Sequence, residues 1–190
     1  MLGSRISINR DTKFTCTRDE DGELYLTGYF AVFGGRYQMW EDAYETIDPA
    51  AFNETIRDDI RALTNHDTTL VLGRTAANTL KLRIDERGLW GEITINQNDQ
   101  DAMNLYERVK RGDVSQCSFG FDIIDQSIDM VDGNTVFTLK KVRLYEVSVC
   151  TFPAYEDTAI NARKNDIDTL RRQKLAAWKK NTLDKFREEK

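Results

Sequence analysis

Histidine is nearly missing from this chain: there is one, His66, in 190 residues. A single imidazole rules out a multi-histidine metal site, and no clustered ligand spacing replaces it, so no metal is expected. Cysteine is scarce and odd in number (Cys16, Cys117 and Cys150) with no CxxC pair. That pattern is neither a disulfide framework nor a zinc signature, and it suits a reducing compartment. No apolar run is long enough to span a bilayer, and the start lacks the charged-then-apolar order of a signal peptide. A soluble, intracellular protein without membrane contact is therefore expected. The glycines form no phosphate-cradling pattern, and there is no GxSxG elbow, which removes support for a nucleotide site, for any cofactor, and for an α/β-hydrolase.

What is present is aromatic and acidic. Nine Phe, seven Tyr and three Trp within a 40% hydrophobic composition indicate a globular fold with a sizeable core. The net charge of −5 is unevenly spread. Residues 164–190 hold nine Lys/Arg against five Asp/Glu, which leaves 18 basic and 27 acidic side chains on residues 1–163. An acidic body is a poor partner for nucleic acid, because phosphate binding needs a basic surface. The basic tail could bind an acidic partner.

The first 23 residues are polar and without a clear period, and read as a weakly ordered lead-in. "LYLTGYFAVF" (Leu24–Phe33) reads as a buried strand. Asp48-Pro49 predicts a helix start with Asp48 as cap, running towards Arg57. Thr79–Ile84 and Leu89–Ile95, joined by "DERG", form the clearest hairpin. Asn98 or Asp99 can cap a helix over Asp101–Arg111 that stops at Gly112. A strand from Asp113 to about Met130 turns at "DGN" and returns through "TVFTLKKVRLYEVSV". Many strands with two helices predict a strand-dominated α+β fold, closed or strongly curved. Residues 164–190, rich in Lys, Arg, Leu and Glu, read as an amphipathic helical tail outside the domain, with the boundary near Arg163.

In "DVSQCSFGFD" (Asp113–Asp122), Ser115, Cys117, Phe119 and Phe121 share one face, and Gln116, Ser118, Gly120 and Asp122 the other. A strand serine is ordinary. Gly120 gives Ser118 its interest, since it permits another backbone, a substrate's included, to approach closely. Cys117 is the more reactive nucleophile by chemistry but lies on the aromatic face, as a core residue would. By default His66 is a loop histidine without a task. Its place in "NHD", directly after an apolar strand, is one where scaffolds hold reactive groups, and no other imidazole could act as base. Glu146, inside "RLYEVSV", is an acid in an apolar strand and needs a partner: a structural arginine, or an imidazole that it orients.

Six blocks in order complete the pattern. They are "GYFAVFG" (Gly28–Gly34), "ETIDPAAF" (Glu45–Phe52), "RALTNHDTTLVLGRT" (Arg61–Thr75), "RGLWGEI" (Arg87–Ile93), "RVKRGDVSQCSFGF" (Arg108–Phe121) and "LYEVSVCTFPAYEDTAI" (Leu144–Ile160). Together they resemble the prohead, or capsid maturation, proteases of tailed phages, serine peptidases related in fold to the herpesvirus assemblins. The resemblance implies a distorted β-barrel ringed by helices over residues 24–163. It implies Ser118 as nucleophile, His66 as base and Glu146 as third member, where assemblins carry a second histidine. Backbone N–H groups near Thr151–Ala154, with Phe152 and Ala154 preferred, are the expected oxyanion donors. Cys117 departs from the methionine or other apolar residue usual there.

Implied partners are the phage major capsid protein and its scaffold or delta segments, with portal-proximal assembly, inside the immature procapsid in the host cytoplasm. Self-cleavage and a homodimer or higher oligomer are implied too. Two other function classes compete: an inactive structural relative kept as a capsid or scaffold component, and a small-ester or amide hydrolase using the same three residues.

Overall fold

The computed structural model describes residues 14–152 in full and the backbone of residues 4–7. Its described elements are β1 (Ser4–Ser7), β2 (Thr15–Arg18), β3 (Leu24–Val32), β4 (Tyr37–Trp40), β5 (Ala43–Ile47), β6 (Arg61–Thr64), β7 (Asp67–Arg74), β8 (Leu80–Ile84), β9 (Gly88–Ile95), α1 (Gln100–Arg111), β10 (Gln116–Val131) and β11 (Asn134–Cys150). A single 3-10 turn, Thr75–Ala77, follows β7. The compact unit that contains them runs Met1–Ala154. The helical tail expected over 164–190 lies outside the described residues.

Hydrogen bonding sorts the strands into two sheets. The larger has seven strands in the order β1-β10-β11-β5-β4, with β6 also paired to β11 and β7 to β6; the smaller has the order β2-β3-β9-β8. Neither sheet closes on itself, so the expected barrel is replaced by two open sheets that share one core. The helical ring is likewise absent among the described residues, where α1 is the one α-helix. The first 23 residues, read as a weakly ordered lead-in, instead supply β1 and β2. Their sequence hides this because β2 is mostly exposed and shows no apolar period. A short edge strand is held by its backbone pairing, here to β3.

The core draws on both sheets and on α1. Leu26, Phe30, Leu89 and Ile93 come from the small sheet, Phe119, Phe121, Leu139 and Val147 from the large one, and all are fully buried. Phe52 packs edge-on against Phe119, with ring centroids 5.4 Å apart, and Phe119 lies 4.9 Å from Phe121. Each fully buried phenyl ring contributes about 1.5–3 kcal/mol. The Cys117 side of β10 therefore faces the core, and its Sγ lies 3.0 Å from the Tyr29 carbonyl oxygen of β3. The opposite side of β10 carries Ser118.

Local chemistry sets the best-formed elements. Asp99 caps α1 by accepting hydrogen bonds from the N–H groups of Asp101 and Ala102. Gly112, at φ 89°, ends the helix by donating to the carbonyls of Arg108 and Val109. In "DERG" the Asp85 side chain accepts from the N–H groups of Arg87 and Gly88, which closes the β8–β9 turn.

The helix expected after Asp48 is a run of turns. Asp48 does accept from the Ala50 N–H at 2.8 Å, as a cap would. The next bonds are mostly of the three-residue kind: Ala51 to Asp48, Asn53 to Ala50, Thr55 to Phe52 and Asp58 to Thr55. The reason lies on β11. That strand pairs in parallel with β5 over Thr135–Leu139 and with β6 over Glu146–Val149, which leaves a gap between. In the gap the Val142 N–H donates to the Ala51 carbonyl, and the Leu144 N–H to Thr55 Oγ1. A regular helix would spend the Ala51 carbonyl on Thr55 and leave buried donors of β11 unpaired.

Candidate active site

β6 and β7 form a hairpin in which Thr64 faces Asp67, so Asn65 and His66 alone make the turn. Both have positive φ, 51° and 62°. Two left-handed central residues are the mark of the tight turn that matches strand twist. Asparagine suits the position, and histidine is among the few other residues enriched there. Asn65 anchors the turn to the end of β11: its N–H donates to the Val149 carbonyl at 3.0 Å, and its Oδ1 accepts from the Thr151 N–H at 2.9 Å. Asp67, the next acid along, is spent locally. It accepts from Thr69 N–H and Oγ1, bonds that hold its carboxyl below the usual carboxylate range.

The turn delivers His66 to the side of β11 that carries Glu146 and Ser148. His66 Nδ1 lies 2.6 Å from Glu146 Oε1, with both residues buried. The second carboxylate oxygen, Oε2, accepts from Ser148 Oγ at 2.5 Å. The same Ser148 Oγ accepts the His66 backbone N–H at 3.2 Å. Ser148 thus touches His66 and Glu146 at once. His66 Nε2 is buried and has no hydrogen-bond partner among the described residues.

Ser118 joins this group through the sheet. It stands opposite Ser148 in the β10–β11 ladder, and Gly120 stands opposite Glu146, with no register shift between. Opposed residues of an antiparallel pair point to one face, so Ser118, Gly120, Glu146 and Ser148 share a surface. Ser118 is 0% exposed. The structure therefore gathers the three residues expected to act together.

One expectation is corrected. The space over Gly120, expected to admit a substrate, is filled by the Glu146 carboxylate; a Cβ there would overlap Oε1. Gly120 is required by the acid of the pair. Within the segment expected to supply oxyanion donors, the Thr151 N–H is already committed to Asn65. Phe152 is 79% exposed, and Ala154 lies outside the described residues. Sequence reasoning missed Ser148 and Asn65. The signals were a serine two residues beyond the strand acid, hence on its face, and an Asn-His pair between two strand-like runs.

A family model described as caudovirus prohead serine protease matches residues 12–173. The chain belongs to that family. The prohead protease of Enterobacteria phage HK97 is 29% identical over 151 residues, covering 76% of this chain and 64% of the relative. The prohead protease of Escherichia phage T5 is 30% identical over 103 residues, covering 54% of this chain and 45% of the relative. The chain thus spans less than two thirds of the length of either. Among solved structures, the capsid assembly protease of bacteriophage T4 aligns with a TM-score of 0.44 at 10% identity, over 79% of this chain and 96% of that one. The family match covers β2 to β11 and all four residues of the buried cluster.

Proposed function

We propose that the chain is a serine endopeptidase of phage head maturation, with Ser118 as nucleophile, His66 as general base and Glu146 as the acid that orients it. One observation carries the reading: the buried 2.6 Å contact of His66 Nδ1 with Glu146 Oε1, on the sheet face that bears Ser118. The pairing commits Nδ1 to the carboxylate and leaves Nε2 as the nitrogen able to take a proton.

In the proposed reaction Ser118 Oγ attacks the scissile carbonyl carbon while its proton passes to His66 Nε2. The C–N bond breaks, the amine departs with that proton, and an acyl-enzyme remains. Water then attacks the ester, again losing a proton to Nε2, and Ser118 regains its hydrogen as the carboxylic acid leaves. Glu146 stabilises the imidazolium formed in each half. Backbone N–H groups after β11, at Phe152 and Ala154, are the proposed oxyanion donors, each worth about 3 kcal/mol or more.

The substrates proposed are delta or scaffold segments of the capsid protein inside the immature head, and then the enzyme itself. The family assignment supports this choice, as do the names of the phage relatives. The basic segment 164–190 is proposed as a docking arm for an acidic stretch of shell or scaffold protein.

Intact-mass analysis of the wild type, Ser118→Ala and His66→Ala, each co-expressed with the cognate major capsid protein, tests the proposal. Truncation of capsid protein or enzyme in the wild type alone is the expected result. Identical masses in all three would leave a structural role instead.

A further inference from the structure

We propose that Ser148 is a positioning residue of the active site, a hydroxyl clamp that fixes the base and its acid together; this rests on the triad reading above. Three facts converge on its Oγ. It donates to Glu146 Oε2 at 2.5 Å, it accepts the His66 backbone N–H at 3.2 Å, and it is fully buried. The donor bookkeeping closes. A hydroxyl has one proton and two lone pairs; here the proton goes to the carboxylate and one lone pair takes the amide.

The clamp constrains both ends of the catalytic pair. On Glu146 it occupies the oxygen that His66 does not use, so the carboxylate plane cannot rotate without breaking a charge-assisted bond. On His66 it grips the backbone of a residue with φ 62°, a conformation that persists only where the surroundings enforce it. The imidazole is thereby held at its backbone by Ser148 and at Nδ1 by Glu146. Gly120 completes the seat, because a side chain there would displace the carboxylate from beneath. Ser148 faces Ser118 across the ladder, so one cross-strand pair carries both the proposed nucleophile and the clamp.

Threonine and valine at position 148 differ by the hydroxyl at nearly constant volume, and they isolate its role even if Ser148→Ala fails to fold. Two readouts apply. The first is the rate of labelling at Ser118 by a fluorophosphonate reagent, resolved into a maximal rate and an apparent affinity. The second is the low-field imidazole N–H resonance, unambiguous because His66 is the one histidine, recorded in a Ser118→Ala background.

Expected is a maximal labelling rate that falls roughly a hundredfold in Ser148→Val with affinity unchanged. Ser148→Thr should stay near the parent, and the resonance should persist with Thr and vanish with Val. Equal labelling and equal resonances for Thr and Val would overturn the clamp. Absence of labelling in the parent, alongside a resonance that still depends on the hydroxyl, would overturn the triad reading and leave the clamp standing.

Discussion

At the scale of residues, the site depends on which atoms are already committed. Glu146 spends one oxygen on His66 and the other on Ser148, so exchange for glutamine disrupts both contacts. An amide can meet Nδ1–H and the Ser148 hydroxyl only through its single oxygen, which favours the wrong imidazole tautomer. Glu146→Gln should melt below the parent, because two buried hydrogen bonds are weakened, and its acylation rate should fall by about 10³–10⁴. Fluorophosphonate labelling followed beside a thermal melt checks both. Gly120→Ala should lose activity too, and for a steric reason, since the added methyl group claims the carboxylate's place.

Elements decide whether the base arrives at all. The β6–β7 hairpin presents His66 through a two-residue turn, and Asn65 both tolerates the left-handed backbone and ties the turn to β11. Asn65→Ala should cost about 1–3 kcal/mol, from a strained φ and a lost hydrogen bond. Asn65→Gly should cost less, because glycine accepts the same φ. Urea unfolding of the two variants checks the order.

The open end of the hairpin is tied by Asp59, which receives Arg74 Nε at 2.7 Å and Nη2 at 2.5 Å, with Arg61 alongside. Arg74 holds the Asp59 carboxyl below its ordinary range. A depressed folded value means that the tie contributes stability at neutral pH, and that the contribution is lost as pH falls through the folded value. Asp59→Asn should therefore be slightly less stable than the parent at pH 7. The two should converge in acid below the ordinary aspartate range, as paired denaturation curves against pH would show. The tie is exposed to solvent, so the gap at pH 7 is expected to be small.

On the scale of the whole molecule, the two sheets give β10 two unlike sides. Cys117, Phe119 and Phe121 enter the shared core, while Ser118 and Gly120 meet Glu146 and Ser148 on the other side. Cys117 and Cys150 are fully buried, and burial pushes the half-buried Cys16 thiol upward in pKa. Iodoacetamide near neutral pH should therefore leave Ser118 labelling unchanged, even though a thiol sits next to the proposed nucleophile in the chain. Loss of activity on alkylation would show that the thiols face the chemistry.

The sequence by itself determined what depends on near neighbours. Asp99 and Gly112 bound α1, "DERG" closes its hairpin, and alternation divides β10 into a core side and a site side. Residue chemistry made His66, Glu146 and Ser118 candidates, and the resemblance carried by six sequence blocks put them together as a proposed triad. Pairing between distant segments was decided only by the tertiary structure. Whether the sheets close depends on which edges meet, and β11 shares its length between β5 and β6. The segment after Asp48 has a helix-start signal, but the unpaired donors of β11 claim its carbonyl and its hydroxyl. In the sequence Ser148 is one more strand serine, and folding sets it between the His66 amide of the β6–β7 turn and the Glu146 carboxylate of its own strand. Local signals are carried by a few adjacent residues, whereas a buried polar group takes its role from whatever the fold brings within hydrogen-bonding reach.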